Sequence, residues 1–231
     1  MRQIVLDTET TGFDPKNGDK IIEIGALELY KRKLTQNNYH QYIQPERDVP
    51  MDAIKVHGIT NEFLIDKPTF ATIVEDFMAF VSGAELIIHN APFDVGFINH
   101  ELSQLAQNRW GKIEDHCTII DSLRIARKTY PGQRNSLDAL CKRLGIDNSN
   151  RTLHGALLDS EILADVYLTM TGGQTDLALT KVEPTYSNLN KIDFDKPRGT
   201  LKVIRANTTE LAAHQQKLLE LSKATSSQID W

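Results

Sequence analysis

The segment Ile4-Val5-Leu6-Asp7-Thr8-Glu9-Thr10-Thr11-Gly12 places two carboxylates directly after three large aliphatic residues. The aliphatic run predicts a buried strand that ends where the chain becomes polar. Because alternate residues of a strand face the same side, Asp7 and Glu9 project together. Two adjacent carboxylates repel each other unless a cation lies between them, and such hard oxygen ligands favour Mg²⁺ or Mn²⁺. A solvated strand end with two unrelated acids is the alternative.

The composition is that of a water-soluble protein with one sizeable core. The chain has 231 residues, of which 40% are hydrophobic and 25% charged, and its mean hydropathy is −0.35. No apolar run is long enough to span a membrane, and the start of the chain lacks the apolar segment of a signal peptide. Cys117 and Cys141 lack the spacing of a metal site, which favours buried thiols in a reduced, cytoplasmic protein.

The net charge of −5 argues against a broad basic surface for nucleic acid. The charge is unevenly distributed, because residues 1–170 hold 18 Lys and Arg against 24 Asp and Glu, whereas residues 171–231 hold 8 against 7. Bound metal ions would offset part of the excess negative charge in the first segment. A partner protein would then hold most of the nucleic acid.

The remaining pattern predicts an α/β sheet of mixed direction with helices on its faces. A hairpin follows the opening strand, and strands then alternate with helices. Gly25 in the second strand indicates a close approach of neighbouring backbone, and Ser122 is predicted to cap a helix. After the opening segment, the predicted strands are 21–30, 34–44, 86–89 and 119–121, and the predicted helices are 51–60, 69–81, 95–107, 122–128, 135–144 and 156–170.

Two further acids lie where a ligand could bind. Asp94 follows the strand 86–89 in the first turn of a helix, near the sheet edge at which α/β proteins bind ligands. Helix capping explains a lone Asp equally well. Asp159 lies beside Leu158 and Ile162 on the last helix, so it is predicted to face inward, where an unpaired carboxylate is costly. Either a structural salt bridge or metal ligation would compensate it.

His154 lies five residues before Asp159. At about 100° per helical residue, the two side chains would point ~140° apart on a single helix. They converge only if His154 lies in the loop before the helix, and Gly155 permits that conformation. A histidine in such a loop is an ordinary surface residue unless its neighbours give it a role.

The four acids and the histidine together resemble the active-site set of the DEDD exonucleases, of the subtype whose fifth residue is histidine. The chain is also similar to the family of proofreading epsilon subunits of bacterial DNA polymerase III, through residues 1–173. The segments that carry this similarity are Asp7–Gly12, Val56–Ile59, His89–Asp94, Arg134–Asp138 and His154–Asp159. The resemblance implies a ribonuclease H-like fold with a mixed five-stranded sheet and a flexible C-terminal tail.

The resemblance also implies a two-metal 3′→5′ exonuclease that removes mispaired nucleotides for a replicative DNA polymerase. Asp7, Glu9, Asp94 and Asp159 would hold two Mg²⁺ or Mn²⁺ ions about 4 Å apart. His154 would accept the proton of the attacking water. The product would be a 5′-mononucleotide released from a DNA 3′ end.

Further residues are expected to contact the terminal nucleotide. Besides Asp7, Glu9 and Asp159, the resemblance and the position of the residues assign Thr8, Thr10, Asp52, Val56, His57 and Phe93 to substrate binding. Phe13 and Phe93 would stack on the last bases, with a place in the core as the alternative. The other histidines are predicted to be structural or surface residues, namely His40, His89, His100, His116 and His214.

The chain after residue 173 is predicted to bind partners. Gln174–Leu179 resembles the short peptides that dock in a sliding clamp through Gln174, Leu177 and Leu179, although a helix-exit segment explains it too. Residues 180–200 are predicted to be a flexible linker. Residues 201–231 hold a strand-like piece and a helix that Thr209 would cap, and the resemblance assigns them to the catalytic (alpha) subunit of the polymerase. A small accessory (theta-like) subunit is left open.

Two other functions are compatible with parts of this pattern. An RNA-trimming exoribonuclease of the same superfamily would use the same five residues, but it would not need a tethering tail. A non-catalytic adaptor between clamp and polymerase would need the tail, but it would not need a cluster of repelling acids.

Overall fold

The structure is a computed structural model that describes residues 2–151, 153–172 and 206–225. The chain forms two compact units, Met1–Ala178 and Leu179–Trp231. The first unit contains a sheet with helices on both faces, and the described part of the second contains one helix. No helix within the described ranges is long and apolar enough to cross a membrane.

The sheet has five strands of mixed direction, as predicted. Two hairpin connections make the first three strands antiparallel, and the last two strands run parallel to the first. The strands are β1 (Arg2–Thr10), β2 (Ile21–Tyr30), β3 (Lys33–Tyr42), β4 (Glu85–Ile88) and β5 (Thr118–Asp121). The first strand is therefore central, in the order β3-β2-β1-β4-β5.

Helices cover both faces of the sheet because the strand residues alternate between two cores. The helices are α1 (Met51–His57), α2 (Asn61–Leu64), α3 (Phe70–Val81), α4 (Ala91–Gln104), α5 (Ser122–Thr129), α6 (Leu137–Leu144), α7 (Ala156–Gly172) and α8 (Thr208–Thr225). Ile4 and Leu6 pack with the helices α3 and α4 on one face, whereas Val5 packs with Leu163 of α7 on the other. Cys117 and Cys141 are buried free thiols, as predicted.

Several predicted element boundaries are wrong. Strand β1 does not end at Leu6 but continues through Thr10, because β2 pairs with it along that length. Helix α4 begins at Ala91 and not at residue 95, since Asn90 adopts the left-handed conformation (φ 69°) that ends the preceding segment. Asp121 caps α5, because its carboxylate accepts from the Leu123 and Arg124 amides. The hydroxyl of the predicted cap, Ser122, bonds to His89 instead.

Gly25 allows the start of α7 to lie directly on β2, as the sequence predicts. A Cβ atom at this position would lie 2.3 Å from the carbonyl carbon of Ala156, far inside contact distance. Two hydrogen bonds fasten the same junction: Ser160 Oγ donates to the Gly25 carbonyl at 2.9 Å, and the Ala156 amide donates to Glu23 Oε2 at 3.1 Å. The first turn of α7 is thereby fixed beside the central strands.

The described part of the second unit is helix α8. Asn207 caps it, because Asn207 Oδ1 accepts from the Glu210 amide and Glu210 Oε2 accepts from the Asn207 amide, both at 2.9 Å. The predicted cap, Thr209, already lies inside the helix. The predicted clamp-binding peptide Gln174–Leu179, with Gln174, Leu177 and Leu179, and the predicted linker 180–200 lie outside the described residues.

Candidate active site

Asp7 and Glu9 lie on the central strand β1, where they face the start of α7 across β2. In the antiparallel register, Asp7 is opposite Gly25 and Glu9 is opposite Glu23. The missing side chain at Gly25 is what lets α7 approach Asp7. Glu9 is buried with 8% of its surface exposed. The alternating positions predicted from the sequence therefore place both carboxylates toward the same helix.

Asp94 reaches the same region from the neighbouring strand. Strand β4 runs parallel to β1, and α4 begins only three residues after it, so Asp94 lies in the first turn of that helix. Its side chain is 3% exposed, and its Oδ1 atom accepts a hydrogen bond from Thr8 Oγ1 at 2.7 Å. The Thr8 hydroxyl thus orients an acid, which is a different role from the predicted contact with substrate.

Asp159 and His154 converge at the start of α7. His154 lies in the loop before the helix, and its Nδ1 atom is 3.2 Å from Asp159 Oδ2. The His154 amide donates to the Val56 carbonyl of α1 at 3.0 Å, which fixes the loop. Asp159 is 3% exposed, so it faces inward as predicted. The loop placement of His154, which the sequence required for convergence, is confirmed.

Burial raises the pKa values of three of these acids, and repulsion from neighbouring carboxylates adds to the shift at Asp7 and Glu9. The pKa of Asp7 is raised well above its usual range by burial first, and then by Asp94, Glu9 and Asp159. Burial, followed by Asp159 and Glu23, raises the pKa of Glu9 to about 8. Burial also raises the pKa of Asp94 to about 7, although the Thr8 hydrogen bond opposes the shift. The cluster holds more negative charge than its protein neighbours neutralise.

The donor set fits a divalent cation. Ligand atoms of Glu9, His154 and Asp159 all lie within 4.8 Å of one another, and Asp7 and Asp94 act electrostatically on the same cluster. Carboxylate oxygens with raised pKa values gain most from a hard cation, because the cation removes the repulsion that raised them. A divalent cation therefore suits these residues.

Arg151 is a member of the site that the sequence reasoning missed. Its Nε and Nη2 atoms donate to the two oxygens of Asp159 at 2.5 and 2.6 Å, and Nη1 donates to Asp138 Oδ1 at 2.6 Å. The Nη2 atom also lies 2.8 Å from His154 Nδ1. Burial lowers the pKa of Arg151, but the bonds to Asp159 and Asp138 outweigh it and raise the pKa. The only sequence signal was an Arg three residues before His154.

Glu23 is a second missed residue, and it supports the site from β2. The carboxylate is 2% exposed and accepts from the Ala156 amide at the start of α7. Its other oxygen lies 2.7 Å from His40 Nε2. The sequence signal for this role was a single acid between Ile22 and Ile24 in a strand predicted to be buried, where a carboxylate needs a partner.

A cleft of about 480 Å³ opens beside the carboxylates. The predicted substrate residues that line it are Thr8, Glu9, Thr10, Asp52, Val56, His57 and Phe93, and Phe13 lines it too. Asp7 and Asp159 are not part of its lining. The Thr10 hydroxyl donates to the Gly12 carbonyl at 2.6 Å, and Asp52 is an exposed residue paired with Lys55. The cleft therefore gathers most of the residues assigned to the terminal nucleotide.

His57 is a cleft residue with a buried ring nitrogen that has no hydrogen-bond partner among the described residues. The side chain is buried, its Nδ1 atom accepts from the Ile59 amide at 3.0 Å, and its buried Nε2 atom has no partner among the described residues. Burial lowers the pKa of His57, with Glu23 opposing and His154 reinforcing the shift. A neutral ring that accepts at Nδ1 carries its proton at Nε2, so an acceptor on a ligand would satisfy it.

The two phenylalanines differ in their surroundings. Phe13 is 88% exposed at the mouth of the cleft, so the alternative that places it in the core is wrong. Phe93 is half-buried and packs on Phe97 with 4.9 Å between ring centroids, yet it also lines the cleft. One ring is free to stack on a base, and the other forms a wall.

The predicted structural histidines have structural partners where contacts are described. His89 bonds to Ser122 and to the Asn135 carbonyl, and His116 bonds to the Trp110 carbonyl. His40 joins the support of the site through Glu23. None of these three lines the cleft.

Comparison with known proteins places this arrangement in a family. Residues 4–167 match the RNase T exonuclease family. The chain is 52% identical to the DNA polymerase III subunit epsilon of Pasteurella multocida, across 100% of this chain and 93% of the relative. The chain belongs to the DNA polymerase III epsilon subunit family. It is also 51% identical to the Escherichia coli (strain K12) epsilon subunit, across 94% of this chain and 92% of the relative. The chain is accordingly a proofreading 3′→5′ exonuclease.

Solved structures share the fold of this epsilon-family chain. The nuclease domain of a DEDDh-family 3′-exonuclease bound to rAMP has a TM-score of 0.62 at 22% identity, and the match covers 74% of this chain and 92% of that one. Exonuclease X in complex with 5′ overhanging duplex DNA has a TM-score of 0.58 at 23% identity, with the same coverage. These matches confirm the mixed sheet with flanking helices.

Proposed function

We propose that this exonuclease hydrolyses the last phosphodiester of a DNA 3′ end with two Mg²⁺ or Mn²⁺ ions held by Asp7, Glu9, Asp94 and Asp159. The observation that carries the proposal is the convergence of these four acids with raised pKa values for three of them. A protein keeps such a repelling cluster when a bound cation relieves it. Bound ions would lower the pKa of the attacking water and stabilise the leaving 3′ oxygen.

His154 takes the proton of the attacking water in this proposal. Its side chain is partly exposed beside the acids, and its loop is fixed by the Val56 carbonyl. Its Nδ1 atom lies 3.2 Å from Asp159 Oδ2, and with the ring proton on Nδ1 and shared with Asp159, the Nε2 atom accepts the proton of the water. Arg151 supports this arrangement through its bonds to Asp159. A positioned general base is expected to contribute about 10²- to 10⁴-fold to the rate.

The terminal nucleotide would occupy the cleft. The Nε2–H group of His57 would donate to it, because that atom lacks a partner among the described residues. Phe13 would stack on the base from the mouth of the cleft, and Phe93 would form the wall. Val56 and Asp52 lie along the rim. The product is a 5′-mononucleotide.

Selectivity for mispaired ends would come from the DNA. A terminal mismatch lowers the free energy needed to unpair the last nucleotides, so the frayed strand enters the cleft more readily. The cleft itself needs no readout of the base, since stacking tolerates any sequence.

The C-terminal segment would tether the exonuclease in the cytoplasm to its partners. Residues 201–231 would bind the catalytic (alpha) subunit of the polymerase, and Gln174–Leu179 the sliding clamp. Helix α8 exposes Leu211, Leu219 and Leu221, which suits a helix that packs on a partner. A tether raises the effective concentration of the DNA end, which offsets the acidic charge of the domain.

Degradation of a labelled primer annealed to a DNA template, by the full-length chain, tests the proposal. We expect Mg²⁺-dependent release of mononucleotides, faster from a mismatched than from a matched 3′ end, and no release with a chelator. The double substitution D7A/E9A should abolish cleavage, whereas D165A should not, because Asp165 is an exposed acid on α7. Faster degradation of single-stranded RNA than of the mismatched primer would favour the exoribonuclease. Failure to cut the primer with Mg²⁺ would favour the adaptor.

A further inference from the structure

A basic surface lies next to the acidic active site. Residues 122–143 contain six Lys or Arg and a single acid, Asp138, in a part of the chain that is otherwise acidic. Five of the six side chains are exposed and one is half-buried. We call this set the basic surface; it consists of Arg124, Arg127, Lys128, Arg134, Lys142 and Arg143.

The basic surface is not neutralised by the protein. None of its six side chains forms an ion pair with a carboxylate among the described residues, whereas Arg2, Lys20, Arg47 and Arg109 each do. Clustered charges of one sign create a local positive potential even when the net charge is negative. An anionic ligand would gain from that potential.

The surface is concave and runs past α6. One concavity of about 430 Å³ is lined by Asn90 and Arg127, and a second of about 610 Å³ by Arg134 and Lys142. They adjoin each other, because Ser136 lines both. An anionic ligand that spans both concavities would contact charges of α5, of α6 and of the loop between them.

The loop between α5 and α6 presents its charges on a fixed backbone. Arg143 donates to Asn135 Oδ1 at 3.2 Å and to the Arg134 carbonyl at 2.9 Å, and its guanidinium lies over the Tyr130 ring at 4.6 Å. His89 Nε2 lies 2.9 Å from the Asn135 carbonyl. Because these side chains hold the loop, its backbone needs little further ordering when Arg134 binds a ligand.

The basic surface meets the acids of the active site at two points. Asn90 lines the first concavity and directly precedes α4, which carries Asp94. Asp138 lines the second concavity and bonds to Arg151, which bonds to Asp159. The nucleotide cleft shares no lining residue with either concavity. Through Asn90 and Asp138 the basic surface adjoins the acids, and the cleft, which Glu9 lines, opens beside the same acids.

We infer that the basic surface binds the phosphodiester backbone of the DNA strand on the 5′ side of the scissile phosphate. This inference rests on the proposed function, because it assumes a strand whose 3′ nucleotide occupies the cleft. The strand then passes the acids and continues over α5 and α6, where Arg127 and Arg134 contact its phosphates. Guanidinium groups suit this role, since they donate two parallel hydrogen bonds to phosphate oxygens.

Length-dependent kinetics of the full-length chain test this inference. Single-stranded DNA from two to about eight nucleotides spans the change from strands that reach only the cleft to strands that cover both surfaces. The wild-type KM should fall with length. In R127E/R134E the KM for the longest strand should rise about 5- to 30-fold and the slope of log KM against log salt should weaken by about 1, with a smaller change in kcat.

Matched variants separate this effect from general charge and from misfolding. K31E/K33E makes the same charge change on the exposed hairpin between β2 and β3, at the opposite edge of the sheet, and its KM should stay within about twofold of wild type. The neutral variant R127Q/R134Q should give an intermediate KM. Thermal unfolding of each variant checks that the domain is folded.

Three outcomes would overturn the inference. A folded R127E/R134E whose KM and salt slope match those of K31E/K33E would show that the strand does not use this surface. The same result accompanied by loss of polymerase binding would assign the surface to a protein partner instead. A wild-type chain that cleaves no DNA of any length would overturn the proposed function itself, and this inference with it.

Discussion

Arg151 donates to both carboxylate oxygens of Asp159, from Nε at 2.5 Å and from Nη2 at 2.6 Å. The pair is buried, with 8% of the arginine side chain and 4% of the aspartate side chain exposed. A proposed metal ligand is thus neutralised by a cation that belongs to the chain. A divalent ion that binds Asp159 has to compete with this arginine.

Replacing Arg151 with Gln should therefore change metal affinity and stability in opposite directions. Without metal, the buried Asp159 loses its partner, and the free energy of unfolding should fall by about 2 kcal/mol. With the competitor gone, Mn²⁺ should bind several-fold more tightly. Thermal unfolding in chelator and a direct Mn²⁺ titration measure the two effects.

The exposed pair of Arg109 with Glu75 supplies a matched control for that experiment. R109Q breaks an ion pair whose side chains are 61% and 59% exposed, so it should cost less than about 1 kcal/mol and leave Mn²⁺ affinity unchanged. Unchanged Mn²⁺ affinity in R151Q would mean that the arginine does not compete with the metal.

The raised pKa values of the acids predict how metal-free stability depends on pH. A folded state that holds Glu9 at a pKa of about 8 and Asp94 at about 7 binds more protons than the unfolded chain. Its free energy of unfolding therefore falls as the pH rises from about 4 to about 8. Mg²⁺ should flatten this dependence, because it stabilises the ionised carboxylates.

Melting temperatures across that pH range, in chelator and in excess Mg²⁺, measure the dependence. E9Q should reduce the metal-free slope, since a neutral amide replaces a group that titrates in the window. D165N, on the exposed side of α7, should leave it unaltered. Metal-free stability that rises over this range would contradict the proposed electrostatics.

The sequence predicted the members of the site whose geometry is local. Strand alternation sufficed for Asp7 and Glu9, and the step from β4 into α4 sufficed for Asp94. For His154 and Asp159, the angle between helical positions required a loop, and the structure has one. Each of these inferences depends on a few neighbouring residues.

Residues whose roles depend on distant partners could not be predicted. Glu23 accepts from an amide 133 positions later in the chain, and no local pattern indicates that bond. Arg151 needs Asp138 on α6 as well as Asp159 on α7. The prediction that Ser122 caps α5 was wrong for the same reason. The Ser122 hydroxyl bonds to the distant His89, and Asp121 caps the helix instead.

Gly25 should be sensitive even to substitution with Ala. The added Cβ would lie 2.3 Å from backbone atoms of Ala156 and Leu157, so the start of α7 has to move. We expect G25A to lower the free energy of unfolding by about 1–3 kcal/mol, and to reduce kcat because Asp159 and His154 shift with the helix. Thermal unfolding and steady-state kinetics measure both.

Gly96 on α4 is the matched control for G25A. A Cβ atom there meets nothing within 4 Å, and a helical Gly destabilises relative to Ala by roughly 0.5–1 kcal/mol. G96A should therefore stabilise the domain slightly and leave kcat unchanged. Wild-type stability and activity in G25A would show that the contact between β2 and α7 can relax.

Replacing His154 with Gln tests the proton acceptor separately from the metal ligands. The amide of Gln can still accept a hydrogen bond from Arg151 and stay close to Asp159, so Mn²⁺ affinity should change by less than a few-fold. The kcat should fall about 10²- to 10⁴-fold, because no group then accepts the proton of the water. The pH profile of kcat should also lose its dependence on a deprotonated base.

H100Q changes a histidine of α4 that does not line the cleft, and it should retain wild-type kinetics. A profile that keeps its shape in H154Q would assign the proton to another acceptor, and a large loss of Mn²⁺ affinity would make His154 a metal ligand instead.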